Sequence, residues 1–337
     1  MSERVAVIGA GAWGTTLAVL LAASGRAVSL WARSPERAAE LDAARTNDRY
    51  LPGTPFPASL AVTPDAAELR AAHRLVVLAV PSEHVRTTVR ALGGLLHPDA
   101  PLLSVVKGIE ERSHLRMSQV IREELPDRPL AVLSGPNLAR EIAAGKPAGA
   151  VIASSDGGLA ADLGRLLSSE RFRVYTNPDV VGVELGGALK NVIALAAGMV
   201  DGLGFGDSAK AGIVTRGLAE MTRLGVAAGA HPLTFAGLAG VGDLIATCMS
   251  PLSRNRRAGE LIASGLPWPE ARLQLAGVAE GVTTIDGALG LAHAHGVELP
   301  IAVQVRAVVF DGQPPMRAVA ELMSRAPKDE LGSLESI

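Results

Sequence analysis

The chain has 337 residues, 48% hydrophobic and 20% charged, with a formal net charge of −2. That balance excludes a disordered chain and leaves no global field to draw nucleic acid or anionic lipid. The single cysteine, Cys248, excludes an internal disulfide and fits a reducing cytoplasm, and the seven histidines lack metal-ligand spacing, so no metal is expected. The length suits two domains. Residues 5–25 carry no charge and follow Arg4, as in a signal peptide, but Gly9, Gly11 and Gly14 interrupt them. The stretch reads instead as a buried strand over 5–8, a glycine turn, and a helix over 13–23 closed by Gly25. Apolar runs at 27–31, 75–80, 102–106, 130–133, 150–154 and 172–175 follow, with helical segments between most of them. They predict an α/β domain over 1–178, a Rossmann-like doubly wound sheet with helices on both faces. Beyond it, Ala/Leu/Gly-rich segments at 183–199, 209–228, 238–247, 280–295 and 301–310 predict an all-α domain over 179–337, with a frayed polar tail over 326–337. No other uncharged run is long enough for a membrane span.

The strand exits carry the first functional signal. Gly9-Ala10-Gly11-Ala12-Trp13-Gly14 follows the first run, Arg33-Ser34 the second, Pro81-Ser82 the third, Lys107-Gly108 the fourth, and Ser134-Gly135-Pro136-Asn137 the fifth. Open α/β sheets bind ligands beyond the carboxyl ends of their strands, so five exits with ligand-suited chemistry outweigh any one motif. A strand–GxGxxG–helix unit is a dinucleotide fingerprint: Gly9 makes the turn, Gly11 admits a pyrophosphate to the backbone, and Gly14 lets the helix pack close. An NAD site usually ends the second strand on Asp or Glu. Here Arg33 stands in that region, and its guanidinium suits the 2′-phosphate of NADP, with NAD as a second acceptable cofactor. Arg33 also reads as a loop residue stacked on adenine.

In the second half, Gly187, Asn191, Ala194 and Gly198 share one side of a long helix, which admits another helix or a flat ligand. Lys190 lies beside that face. It reads as a solvated lysine or, on a cofactor cleft, as a proton donor whose pKa burial would lower. Farther on, Gly240 and Gly242 shape a turn before Asp243, and Ser253-Arg254-Asn255-Arg256-Arg257 follows. This is suitable chemistry for a phosphate dianion, or a solvated basic loop. No aromatic residue interleaves the charges, as a nucleic-acid patch would require.

Taken together, Gly9 to Thr15, Val80-Pro81-Ser82, Lys107 to Glu110, Ser134-Gly135-Pro136, Glu184 to Asn191 and Gly240 to Asn255 resemble the bacterial NAD(P)-dependent sn-glycerol-3-phosphate dehydrogenase family over nearly the whole chain. The resemblance implies that Lys190 is the general acid/base, and that Lys107 contacts both substrate and cofactor. It implies Gly135, Asn137, Asp243, Ser253, Arg254 and Asn255 for the substrate. For NADP it implies Trp13, Arg33, Ala139, Arg254, Val278 and Glu280, besides the glycines. Asn137 stands where the family commonly has serine, and Thr16 where alanine is usual. The resemblance further implies reduction of dihydroxyacetone phosphate to sn-glycerol 3-phosphate for phospholipid synthesis, and a cytoplasmic homodimer is expected. Two rivals are a β-hydroxyacid or sugar dehydrogenase, which would not need Ser253-Arg254-Asn255, and a non-catalytic NADP-binding module, which would need neither Lys190 nor Lys107.

Overall fold

The computed structural model describes residues 3–275 and 277–326, so most of the tail expected to fray lies outside the described residues. The chain forms two compact units, one of Met1–Val106 with Met117–Val180 and one of Lys107–Arg116 with Val181–Ile337.

The first unit contains ten strands: β1 (Arg4–Ile8), β2 (Ala27–Trp31), β3 (Thr46–Asn47), β4 (Leu51–Pro55), β5 (Leu60–Thr63), β6 (Leu75–Leu78), β7 (Leu102–Ser104), β8 (Leu130–Ser134), β9 (Ala148–Ala153) and β10 (Phe172–Asn177). Eight of them form one sheet in the order β10-β9-β8-β7-β6-β1-β2-β5, while β3 and β4 pair separately. Strand order reverses at the β1/β6 pair, the crevice where doubly wound sheets take ligands. β1, β2, β6, β7 and β8 run parallel, so the five exits named above share one edge. In β1, β6, β7 and β8 the side chains are buried on both faces, Val5, Val7, Leu75 and Val77 on one and Ala6, Ile8, Val76 and Leu78 on the other, which is why these strands read as continuous apolar runs, whereas β2 alternates.

Three features depart from the sequence reading. β9 runs antiparallel to β8, because only the five-residue helix Ala139–Ala143 lies in the connection, too little for a covering crossover. β5 adds an unexpected parallel edge strand beside β2. The expected single boundary at 178/179 omits the excursion Lys107–Arg116, which joins the second unit because Ile109 is part of that unit's apolar core.

The second unit is helical. Its axis is Val180–Gly202, buried along nearly its whole length by Leu185, Leu189, Val192 and Ile193 among others. This helix and the Pro232–Met249 stretch are long and apolar enough to cross a bilayer, but 89% of the former's apolar window is buried inside the protein. The small face is taken by backbone rather than by a flat ligand. A Cβ on Gly198 would overlap Arg256 O, and Asn191 O lies 2.5 Å from where a Cβ on Gly281 would stand; on another side of the helix, a Cβ on Gly186 would overlap Ala239 O. The segment expected as one helix over 238–247 is a π-turn, Leu238–Gly242, followed by the helix Asp243–Met249. Helices Arg254–Ala263 and Pro315–Met323 were not anticipated from the sequence.

Candidate active site

The glycine turn in the first unit has the form of a phosphate cradle. Gly9 adopts φ 113°, and a Cβ there would stand 2.6 Å from Ala79 O. Gly14 packs so closely on Gly9 O that a Cβ would overlap it, whereas around Gly11 the space is open. Gly11 also starts the helix Ala12–Ala23 with no side-chain cap, leaving its first N–H groups to a ligand. The residues present therefore fit a dinucleotide pyrophosphate. Trp13 packs edge-on to Phe172, with ring centroids 6.3 Å apart, and its buried Nε1 has no partner among the described residues. Arg33 is exposed just past β2, before Ser34, whose hydroxyl accepts the Arg37 N–H at the start of the next helix.

At the β8 exit, Gly135 takes φ 133°, and a Cβ there would stand 3.1 Å from Ala150 Cα. Asn137 Nδ2 donates to Gly149 O at 3.2 Å, while its buried Oδ1 has no partner among the described residues. Thr16 is fully buried and bridges two elements, donating to Ala12 O at 2.9 Å and reaching Ala139 O at 3.3 Å. The departure at Thr16 thus ties the glycine-turn helix to Ala139.

In the second unit, Lys190, Asp243 and Lys107 come together. Lys190 Nζ donates to Asp243 Oδ1 at 2.9 Å and to Thr247 Oγ1 at 2.6 Å. Lys107 Nζ donates to Asp243 Oδ2 at 2.7 Å. Lys190 is only 6% exposed, which rules out the solvated reading. Two lysines face one carboxylate, and burial opposes charge. Burial, with Lys107 adding repulsion, therefore lowers the Lys190 pKa to about 8 against the pull of Asp243 and Glu280. For Asp243, burial acts to raise the pKa, but the two lysines outweigh it and hold the carboxyl ionised. An ammonium has three donors; two of those on Lys190 are spent, and the third has no partner among the described residues.

The basic cluster proves to be a helix start rather than a loop. Ser253 caps Arg254–Ala263 by accepting the Arg256 N–H at 3.2 Å, so the first amides of that helix lie beside Arg254. This combination suits an oxyanion. Arg254 is exposed, and its Nη1 lies 2.6 Å from where a Cβ on Gly277 would stand. Asn255 is buried: its Oδ1 accepts the Gly281 N–H at 2.9 Å and its Nδ2 donates to Asn191 Oδ1 at 2.9 Å. Arg256 is engaged with Asp201 and Glu260, and Arg257 with Glu260, so neither is aimed at a ligand. Val278 is 37% exposed, and Glu280 opens the helix Glu280–Ala294 within electrostatic reach of Lys190.

Sequence reading missed two contributors. Thr247 stands four residues after Asp243, one helical turn along, and that spacing was available. Asn47 is fully buried in the first unit and donates to Ala10 O at 3.0 Å and to Thr15 Oγ1 at 2.8 Å, fixing the glycine turn from behind. No local motif announces it. Among the described residues, no group of three or more His, Cys, Asp or Glu is placed to hold a metal.

Comparison with known proteins identifies the family. The family model for the N-terminus of NAD-dependent glycerol-3-phosphate dehydrogenase matches residues 4–160, and that for its C-terminus matches 179–320. The chain is 51% identical to a glycerol-3-phosphate dehydrogenase [NAD(P)+] of Thermobifida fusca over 97% of this chain and 98% of that one. It is 50% identical to a protein of the same name from Geobacter metallireducens, over 98% of this chain and all of that one. Among solved structures, glycerol-3-phosphate dehydrogenase from Coxiella burnetii is 37% identical and superposes with a TM-score of 0.93, covering 96% of this chain and 99% of that one. The chain belongs to the NAD-dependent glycerol-3-phosphate dehydrogenase family.

Proposed function

We propose that the protein reversibly reduces dihydroxyacetone phosphate to sn-glycerol 3-phosphate, with Lys190 as general acid/base at the C2 oxygen. The observation that carries this reading is the pair of lysines on the buried Asp243, with the Lys190 pKa brought to about 8. A group titrating there is largely protonated at neutral pH yet releases its proton readily, which suits both directions. The nicotinamide supplies hydride to C2 and takes it back in reverse. As charge grows on the C2 oxygen, the unspent Lys190 proton is donated to it, and Lys107 adds positive field. Asp243 acts through the lysines, since each of its oxygens accepts from one of them. The helix start at Ser253 and Arg254 would hold the phosphate, whose remote binding energy orients the carbonyl.

Gly9, Gly11, Trp13, Gly14, Arg33, Lys107, Ala139, Arg254, Val278 and Glu280 are assigned to the cofactor, and Arg33 favours NADP because no carboxylate in that stretch claims the ribose 2′-hydroxyl. Gly135 and Asn137 join the substrate residues. In this reading unit one is the dinucleotide domain and unit two the catalytic domain. Family resemblance extends it to a cytoplasmic homodimer supplying phospholipid synthesis.

NADPH oxidation with dihydroxyacetone phosphate, then with unphosphorylated dihydroxyacetone and hydroxyacid precursors, tests the assignment. A strong preference for the phosphorylated ketone is expected, and equal rates would overturn it. Arg33→Asp should reverse the NADPH/NADH preference by about tenfold or more. An unchanged ratio would remove Arg33 from the 2′-phosphate.

A further inference from the structure

Lys107 reaches Asp243 from a segment that is fastened at several points. Lys107–Arg116 closes on itself as a small hairpin. Ile109 pairs with Arg116 in an isolated antiparallel bridge, the Glu110 N–H donates to Leu115 O at 2.9 Å, and the His114 N–H donates to Glu110 O at 2.9 Å. His114 takes the left-handed conformation, φ 59°, that lets the turn close. Two glycines on the helix Glu280–Ala294 receive it. A Cβ on Gly287 would stand 3.0 Å from Ile109 Cγ2 and 3.0 Å from Ile109 O, and one on Gly290 would overlap the His114 ring. At its far end, Arg116 forms an ion pair with Glu184, whose side chain is only 5% exposed. Glu184 stands six residues before Lys190 on the same helix, about 9 Å along its axis.

We infer that the Arg116–Glu184 ion pair is a positioning device for the reaction: it fixes where Lys107 meets Asp243 and acts through Lys107. The mechanical path is short. Arg116 is bridged to Ile109, and Ile109 is two residues from Lys107. Removing the Glu184 charge takes from Arg116 the carboxylate that ties the hairpin end to the long helix, which lets that end shift. Lys107 then withdraws from Asp243. Lys190 loses a repelling neighbour and has the carboxylate to itself, and both changes favour its charged form. The charged groups around Lys190 are Asp243, Lys107 and Glu280, and only Lys107 is carried by the hairpin. The inference rests on the roles proposed for Lys190 and Lys107.

The test is Glu184→Gln in the full-length enzyme, read by kcat, KM, the pH profile and thermal melting. The pair as positioning device predicts kcat about tenfold lower, an NADPH KM within about twofold, and a basic limb of kcat moved to higher pH. Glu184→Asp, which keeps the charge, should restore both kcat and limb. A lowered melting temperature with kcat and limb unchanged would show that the pair serves the fold alone, and would overturn the inference. If Glu184→Gln does not fold, Arg116→Lys keeps the charge, loses the guanidinium fork, and is judged by the same readouts. Lys107→Met measured alongside separates the two levels. Full turnover in Lys107→Met would overturn the site assignment and this inference with it. Lost turnover there, with a Glu184→Gln enzyme like wild type, would overturn the positioning role only.

Discussion

Among the described residues, the helical unit holds two aspartates that each bind two cations, in unlike surroundings. Asp201 accepts from Lys210 at 2.7 Å and from Arg256 at 2.6 Å, and Arg256 passes a further donor to Glu260 at 2.7 Å. Asp243 accepts from Lys190 and Lys107 at similar distances. Lys190 and Lys210 are almost equally buried, at 6% and 7%. What differs is the balance around them. Asp201 is 20% exposed at its side chain, and one of its two partners is an arginine that Glu260 also engages. Asp243 is 2% exposed and accepts from two lysines where water screens charge poorly, with Glu280 acting on Lys190 from farther off. A buried lysine on an aspartate is thus not distinctive in itself; the role proposed for Lys190 rests on two lysines sharing one carboxylate in a dry place.

Lys190→Met should break the comparison most sharply, lowering kcat for dihydroxyacetone phosphate reduction by about a thousandfold while NADPH still binds, as fluorescence titration can check. The fold should survive. The folded-state pKa of Lys190 lies below its ordinary value, so the charged form costs stability below about pH 8, and the cost fades as pH rises toward 10.5. Asp243→Asn comes next. Without the carboxylate, burial and Lys107 push the Lys190 pKa further down, so kcat should fall about a hundredfold and its basic limb should move to lower pH. An unmoved limb would mean that Asp243 does not set the charge of Lys190. Lys210→Met gives the smallest kinetic effect: kcat within about twofold, but stability lower by about 1–3 kcal/mol in denaturant melts, because Arg256 alone remains to pair with Asp201. A kinetic loss as deep as that of Lys190→Met would erase the distinction between the two clusters.

The part of this that sequence discloses is local. Gly9, Gly11 and Gly14 announce their cradle because strand, turn and helix are contiguous. Lys190 and Arg254 can be named as candidates, but not told from solvated cations, because the partner that decides each case is distant. Asp243 lies 53 residues from Lys190. Asp201, which claims Arg256, is 55 residues away. The helix at Arg254–Ala263 was obscured by its run of charged residues, although Ser253 is a sound cap. β9 could not be seen as antiparallel, since a strand buried on both faces reads alike in either direction. The passage of Lys107–Arg116 into the helical unit has no periodic signal; it is set by Ile109 in the core and by Arg116 on Glu184.

The most direct test of the account is the pH dependence of a single turnover, followed by stopped-flow NADPH fluorescence with saturating dihydroxyacetone phosphate, so that product release does not intervene. Lys190 must carry a proton to serve as acid, so the rate should hold below neutrality and fall tenfold per unit above an apparent pKa near 8. A rate that stays level from about pH 7 to about pH 10 would contradict the assignment of Lys190 as the proton donor.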